Sequence, residues 1–211
     1  MYFPEQGAIY NALMGVIDEW NRAALQNAVL LRTRLMRADA SLCALLEKKL
    51  QSFRGWDDAP GDGAWTHMSD VEYPVESTGT VHTLVELSHL DTGHLVRNHI
   101  VKTRLGSWKG LPCGLEAAIM HEDDVPPERL PPSILPTRVT LKQRKTFEHQ
   151  GWAYVLGRWW SGETMLAAEC EQRNGEGTWD VRIELWNPQV ALRFHPDLGA
   201  ALASRWCALL R

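Results

Sequence analysis

Residues 138–147 read RVTLKQRKTF, and the way this stretch is placed decides the fold. Side chains two apart on a strand share a face. Arg138, Thr140, Lys142 and Arg144 therefore stand on one side, and Val139 and Leu141 on the other. Residues 99–108, HIVKTRLGSW, repeat the pattern with Lys102 and Arg104. A third stretch, TWDVRIEL (178–185), alternates Asp180, Arg182 and Glu184. One such strand alone would suit a solvated sheet face, since exposed charge is common. Two Lys-x-Arg rows facing each other across a closed sheet would bring four cations to one phosphate chain. Arginine offers phosphate a planar fork and lysine a point charge.

Working outward, short alternating segments run on both sides of these rows. VEYPVES (71–77), TVHTLVEL (80–87), HLVRNHIVKTRL (94–105), WAYVLGRWW (152–160), TMLAAECEQ (164–172) and TWDVRIELW (178–186) are separated by turn residues. That spacing predicts a sandwich or barrel. NAVLLRTRL (27–35) reads as a further strand, although its propensity is equally helical. Ile9, Leu13, Val16, Ile17 and Trp20 recur at helical spacing and predict a helix over about 6–23. A second helix is expected from Ser41, with Leu42, Cys43, Leu46, Leu50 and Phe53 on one side. HPDLGAALASRWCALL (195–210) predicts a closing helix with proline at its start. DDAPGDGA (57–64) and the proline-rich HEDDVPPERLPPSILP (121–136) read as surface connections. The fold class expected is α+β: one domain over 1–211, an antiparallel β-barrel forming a tunnel, with helices flanking its N- and C-terminal parts.

Composition excludes several classes. The chain has 211 residues, which argues for one core. Its formal net charge of −4 provides no global nucleic-acid footprint, so any anion site must be a local cluster of Lys and Arg. Cys43, Cys113, Cys170 and Cys207 are far apart without C-x-x-C, which favours free thiols in a reducing intracellular compartment over disulfides or zinc. No apolar run approaches the length of a membrane span, so no membrane association is expected. His89, His94 and His99 fall at intervals that match neither a strand face nor a helix face, and read as surface residues. There is no glycine-rich phosphate loop and no G-x-S-x-G. Trp152, Tyr154, Trp159 and Trp160 could stack on a base, but core packing is their simpler use.

The acidic row raises the chemical question. Carboxylates inside a barrel are costly unless they bind a cation or meet the basic rows. Magnesium or manganese would take such oxygen ligands and leave room for water and phosphate. Arg182, between Asp180 and Glu184 on the same face, would compete with that metal.

The order of segments resembles the metal-dependent RNA 5′-triphosphatases of fungi and large DNA viruses, the tunnel family of mRNA capping. RVTLKQRKTFEHQGWAYVLGRW (138–159) is the stretch most similar to that family. VEYPVES with TVHTLVE and then HIVKTR fits the earlier part, and AIMHEDDVP (118–126) resembles the family's short Ser-x-Glu element. The resemblance implies a polyphosphate tunnel, a metal held by two Glu-rich strands, and basic strands that clamp phosphate.

The departures fall on the chemistry. Leu30 and Arg32 occupy the early Glu-x-Glu positions. Val155 and Gly157 stand for the family's Asp and Thr, and Arg182 replaces the middle acid of the last strand. Arginine keeps its charge at any working pH, so no pKa adjustment restores such a site. A one-residue slip would move every side chain to the other face, so the missing acids could come from Glu86, Glu169 or Glu171.

The expectation is a chain without catalysis and without a cofactor. It would be a structural or scaffolding subunit with a protein partner in a larger assembly. Its electropositive tunnel, lined by Lys102, Arg104, Arg138, Lys142, Arg144 and Arg182, would hold an RNA 5′ end or polyphosphate. The alternative is an active Mg- or Mn-dependent 5′-triphosphatase with Asp180 and Glu184 as catalytic and metal-binding residues.

Overall fold

The computed structural model describes residues 6–24, 29–57, 64–77, 80–89, 97–125 and 135–211. Helix α1 (Gln6–Ala24) leads to strand β1 (Val29–Leu35) and helix α2 (Ala40–Ser52). Six strands follow: β2 (Trp65–Ser77), β3 (Thr80–His89), β4 (Arg97–Leu111), β5 (Leu115–Asp124), β6 (Arg138–His149) and β7 (Trp152–Gly162). Helix α3 (Met165–Asn174), strand β8 (Thr178–Leu185), and helices α4 (Pro188–Phe194) and α5 (Leu198–Leu210) complete the order.

The strands close in the order β1-β5-β4-β3-β2-β6-β7-β8, with every neighbouring pair antiparallel. Closure leaves no sheet edge unpaired. The seam is β1 against β8, where Arg32 pairs with Glu184 and Arg34 with Arg182.

The main core lies on the outside of the barrel wall. Leu31, Leu35, Ala117, Ile119, Val181, Ile183 and Leu185 face outward and pack with Ile9, Leu13 and Val16 of α1, Leu46 of α2, and Leu202 and Trp206 of α5. Trp206 Nε1 donates to Thr33 Oγ1 at 2.8 Å, and Thr33 Oγ1 donates to the Ile183 carbonyl at 2.9 Å. This fully buried chain ties α5 to both strands of the seam. A smaller core joins Val139, Leu141 and Trp160 to Ala168 of α3. The apolar halves of the alternating strands thus meet helices, as their pattern predicts, and the charged halves line the interior.

Local chemistry sets the junctions. Asp39 and Asp197 accept from the backbone N–H of Leu42 and Ala200, capping α2 and α5. The α5 helix therefore begins after Pro196 and not at it. The β6–β7 hairpin turns through Gln150 and Gly151, both at positive φ (53° and 80°). A Cβ on Gly151 would lie 2.3 Å from the Asn187 carbonyl oxygen, so only glycine fits there.

Three elements differ from the sequence expectation. TMLAAECEQ is helix α3, not a strand. Thr164 caps it and its Met, Leu, Ala and Glu content favours helix. LEAAIMHEDD is a full strand, β5, although its alanines obscure the alternation of buried Leu115, Ala117 and Ile119. Helix α4, started by Asn187 and Pro188, had no anticipated counterpart. Of the two expected connections, 57–64 and 121–136, the second begins as strand, since His121–Asp124 complete β5 against β4, and residues 58–63 and 126–134 lie outside the described residues.

Candidate functional site in the barrel

Register brings the two basic strands and the acidic strand to one interior. Lys142 pairs with Met68 and Trp159, and Arg144 with Gly157, which in turn pairs with Asp180. Across the barrel Lys102 pairs with Glu122. Arg32, Asp70, Lys102, Glu122, Lys142, Arg144 and Arg182 line a single cavity of about 120 Å³. Arg104 and Arg138 do not: both are exposed and stand outside that lining. Arg104 precedes a register shift, and Arg138 bonds Ser161 and stacks on Trp159.

The cations are already engaged. Glu184, 4% exposed, takes Arg32 Nε at 2.6 Å and Arg182 Nη1 at 3.1 Å on Oε1, with Arg144 Nη2 3.7 Å from Oε2. Arg182 Nε also lies 2.5 Å from Asp180 Oδ2. Burial opposes ionisation of Glu184, but the three guanidinium groups outweigh it and hold the carboxyl well below the usual range. Lys142 Nζ bonds Asp70 Oδ2, with Lys102 Nζ 3.8 Å from the same oxygen. Burial, reinforced by Lys102 and opposed by Asp70, brings the Lys142 pKa down to about 8.

Asp70 is the acid that sequence reasoning missed. It is 2% exposed on β2. Its signal was the Asp70-Val71-Glu72 alternation at the start of that strand. Glu122, inside the segment likened to the Ser-x-Glu element, is the second. The alternative donors do not join the site. Glu169 lies on α3, paired with Arg173, Glu171 is exposed on the same helix, and the side chain of Glu86 lies outside the described residues. Among the described residues that line the cavity or pair with its lining, Arg32, Lys102, Lys142, Arg144, Arg158 and Arg182 stand with Asp70, Glu122, Asp180 and Glu184, six positive groups and four negative. Asp70 and Glu122 moderate the positive excess expected from the substitutions.

This donor set does not fit a divalent metal. A metal site needs several converging carboxylate oxygens, yet Asp180 and Glu184 are bound by arginines. Asp70 Oδ1 is buried with no hydrogen-bond partner, but it is one oxygen of a carboxylate whose other oxygen bonds Lys142. No group of three or more His, Cys, Asp or Glu side chains converges among the described residues.

Comparison of the coordinates with solved structures places the architecture. The Mimivirus capping enzyme triphosphatase superposes with a TM-score of 0.65 at 9% identity, over 99% of both chains. This chain has the tunnel fold. The S. pombe RNA triphosphatase Pct1, in its complex with the Spt5 CTD, superposes with a TM-score of 0.62 at 15% identity, over 100% of this chain and 92% of that one. The sequence itself matches no family model and no curated protein.

Proposed function

We propose that this chain is a catalytically degenerate relative of the capping RNA triphosphatases, serving as a structural subunit that engages a protein partner in a larger assembly. One observation carries the reading: Glu184, the acid a metal would need, is neutralised by Arg32, Arg182 and Arg144. Removing a carboxylate partner from such a network strands buried charge, so the arrangement favours persistence over exchange with a metal.

The size of the cavity supports the same reading. About 120 Å³ is well below the roughly 300–1,000 Å³ of ordinary ligand pockets. Anion binding, as to an RNA 5′ end or polyphosphate, is then a weak residual property of Lys102, Lys142 and Arg144. No helix among the described residues is long and apolar enough to cross a membrane.

The deciding experiment is phosphate release from triphosphate-ended RNA and from ATP with Mg²⁺ or Mn²⁺. The expected result is none above a no-protein control. Metal-dependent release that Glu184→Ala abolishes would overturn the reading and establish the active triphosphatase.

A further inference from the structure

A second pocket lies outside the barrel, where α2, α5 and the β6–β7 hairpin meet. It holds about 590 Å³, within the range of small-molecule sites. Phe53, Trp56 and Tyr154 form its aromatic wall, with Leu50 and Leu209 beside them. Phe53 meets Trp56 edge-on at 4.9 Å, and Trp56 meets Tyr154 at 5.4 Å, so the wall is packed and preformed.

Arg205 places one cation against this apolar surface. It is 9% exposed, on the face of α5 that otherwise buries Leu198, Leu202, Trp206 and Leu209. Its guanidinium centre lies over the Trp152 ring, 5.1 Å from the ring centroid. The N–H groups in the plane are poorly served. Nε is buried with no hydrogen-bond partner. Nη2 stands 3.2 Å from His195 Nε2, but that nitrogen is also 2.8 Å from Gln150 Oε1. An imidazole nitrogen that accepts from Arg205 belongs to a neutral ring, so this contact gives the guanidinium no counter-charge. No carboxylate among the described residues forms an ion pair with it.

A buried guanidinium without a counter-ion is costly, and stacking on Trp152 offsets only part of that cost. We propose that this pocket binds a small molecule with a planar aromatic body and one anionic group, carboxylate or phosphate. The anion pairs with Arg205 and the body packs against Phe53, Trp56 and Tyr154. The site is independent of the barrel interior and of whether that interior is catalytic.

The test uses 8-anilino-1-naphthalenesulfonate, an aromatic anion whose fluorescence reports binding, titrated into the full chain. Saturable one-site binding is expected. Arg205→Met, which keeps the length of the side chain, should weaken it about tenfold, the value of a charge-assisted hydrogen bond. Ala208→Trp, at an exposed position on the pocket rim, should abolish it, and this variant decides alone if Arg205→Met does not fold. Displacement by indole-3-propionate assigns a carboxylate ligand, and displacement by adenosine 5′-monophosphate a phosphate. Unchanged affinity in Ala208→Trp, or displacement by neither competitor, would overturn the proposal.

Discussion

Arg32 Nε lies 2.6 Å from Glu184 Oε1, and the two residues are direct register partners across the seam that closes the barrel. The pair therefore has two roles. It closes the wall electrostatically, and, in the function proposed above, it occupies the carboxylate that a metal would need.

Glu184→Gln keeps the shape of this side chain and removes its charge. Arg32 and Arg182 would then lose their shared acceptor, and Arg144 its nearest carboxylate. Breaking a buried pair from one side costs on the order of 3–5 kcal/mol. Urea unfolding should show a loss of that size. A loss below about 1 kcal/mol, the worth of an exposed pair, would mean the network is solvated.

The same variant should gain an anion site. With Glu184 neutral, Arg32 and Arg144 lose their carboxylate ion pairs and Arg182 keeps only Asp180. Tripolyphosphate should raise the unfolding temperature of Glu184→Gln far more than that of the wild type, since a ligand specific for the native state stabilises it by mass action. The gain should shrink as salt is raised. Equal shifts in both proteins would place the anion elsewhere.

Reinstalling acids tests the metal argument directly. Arg32→Glu combined with Arg182→Glu converges new carboxylates on Asp180 and Glu184. Without metal these repel, and the variant should be less stable than the wild type. Mn²⁺ should restore it, in a thermal scan, and leave the wild type unmoved. A Mn²⁺-dependent rise in the wild type would contradict the degenerate reading.

Stability should depend on pH through three groups. The Glu184 pKa is depressed on folding, so its contribution is full above the unfolded value near 4.3 and is lost as the solution is acidified toward its folded value. Lys142 falls to about 8 on folding, so the unfolded chain binds more protons between about 8 and 10.5 and stability rises there. Burial, with nearby Asp180, Asp39 and Glu47, raises the Cys43 thiol to about 12, which lowers stability above the unfolded thiol value of about 8.5. The alkaline effects oppose each other. Lys142→Met should therefore unmask a steeper alkaline decline, and Cys43→Ala a rise. Superimposable profiles for Lys142→Met and the wild type, after an offset, would refute the Lys142 assignment.

Thr33→Val tests the tie between helix and seam. Valine matches threonine in shape but leaves Trp206 Nε1 without an acceptor in a fully buried position. A cost of about 1–3 kcal/mol is expected, and adding Trp206→Phe should cost less in the Thr33→Val background than in the wild type, since only its cavity cost remains there. Additive losses in that cycle would show that the two groups act separately.

Much of the architecture was legible because alternation is a local property. The grouping of each basic row on one face, the opposite face shared by Val139 and Leu141 and by Val181 and Ile183, and the helices at 6–24 and 40–52 follow from spacing alone. Residues 164–172 misled because Glu169 and Glu171 are spaced as on a strand, while capping by Thr164 and the helical propensity of the segment decide the outcome. β5 was hidden because alanine carries little pattern.

What the sequence by itself determined is which side chains share a face: Arg182 with Asp180 and Glu184, Lys142 with Arg144, Arg32 with Leu30. It could not say which faces meet. That depends on closure of the seam and on register between strands distant in the chain, where a shift of one residue exchanges wall for interior. Only the tertiary structure brought Arg32 to Glu184, Asp70 to Lys142, and Arg205 beneath the aromatic wall of Phe53, Trp56 and Tyr154. Pairing and burial belong to the assembled barrel, and these set whether a carboxylate is a metal ligand or the anchor of an ion pair.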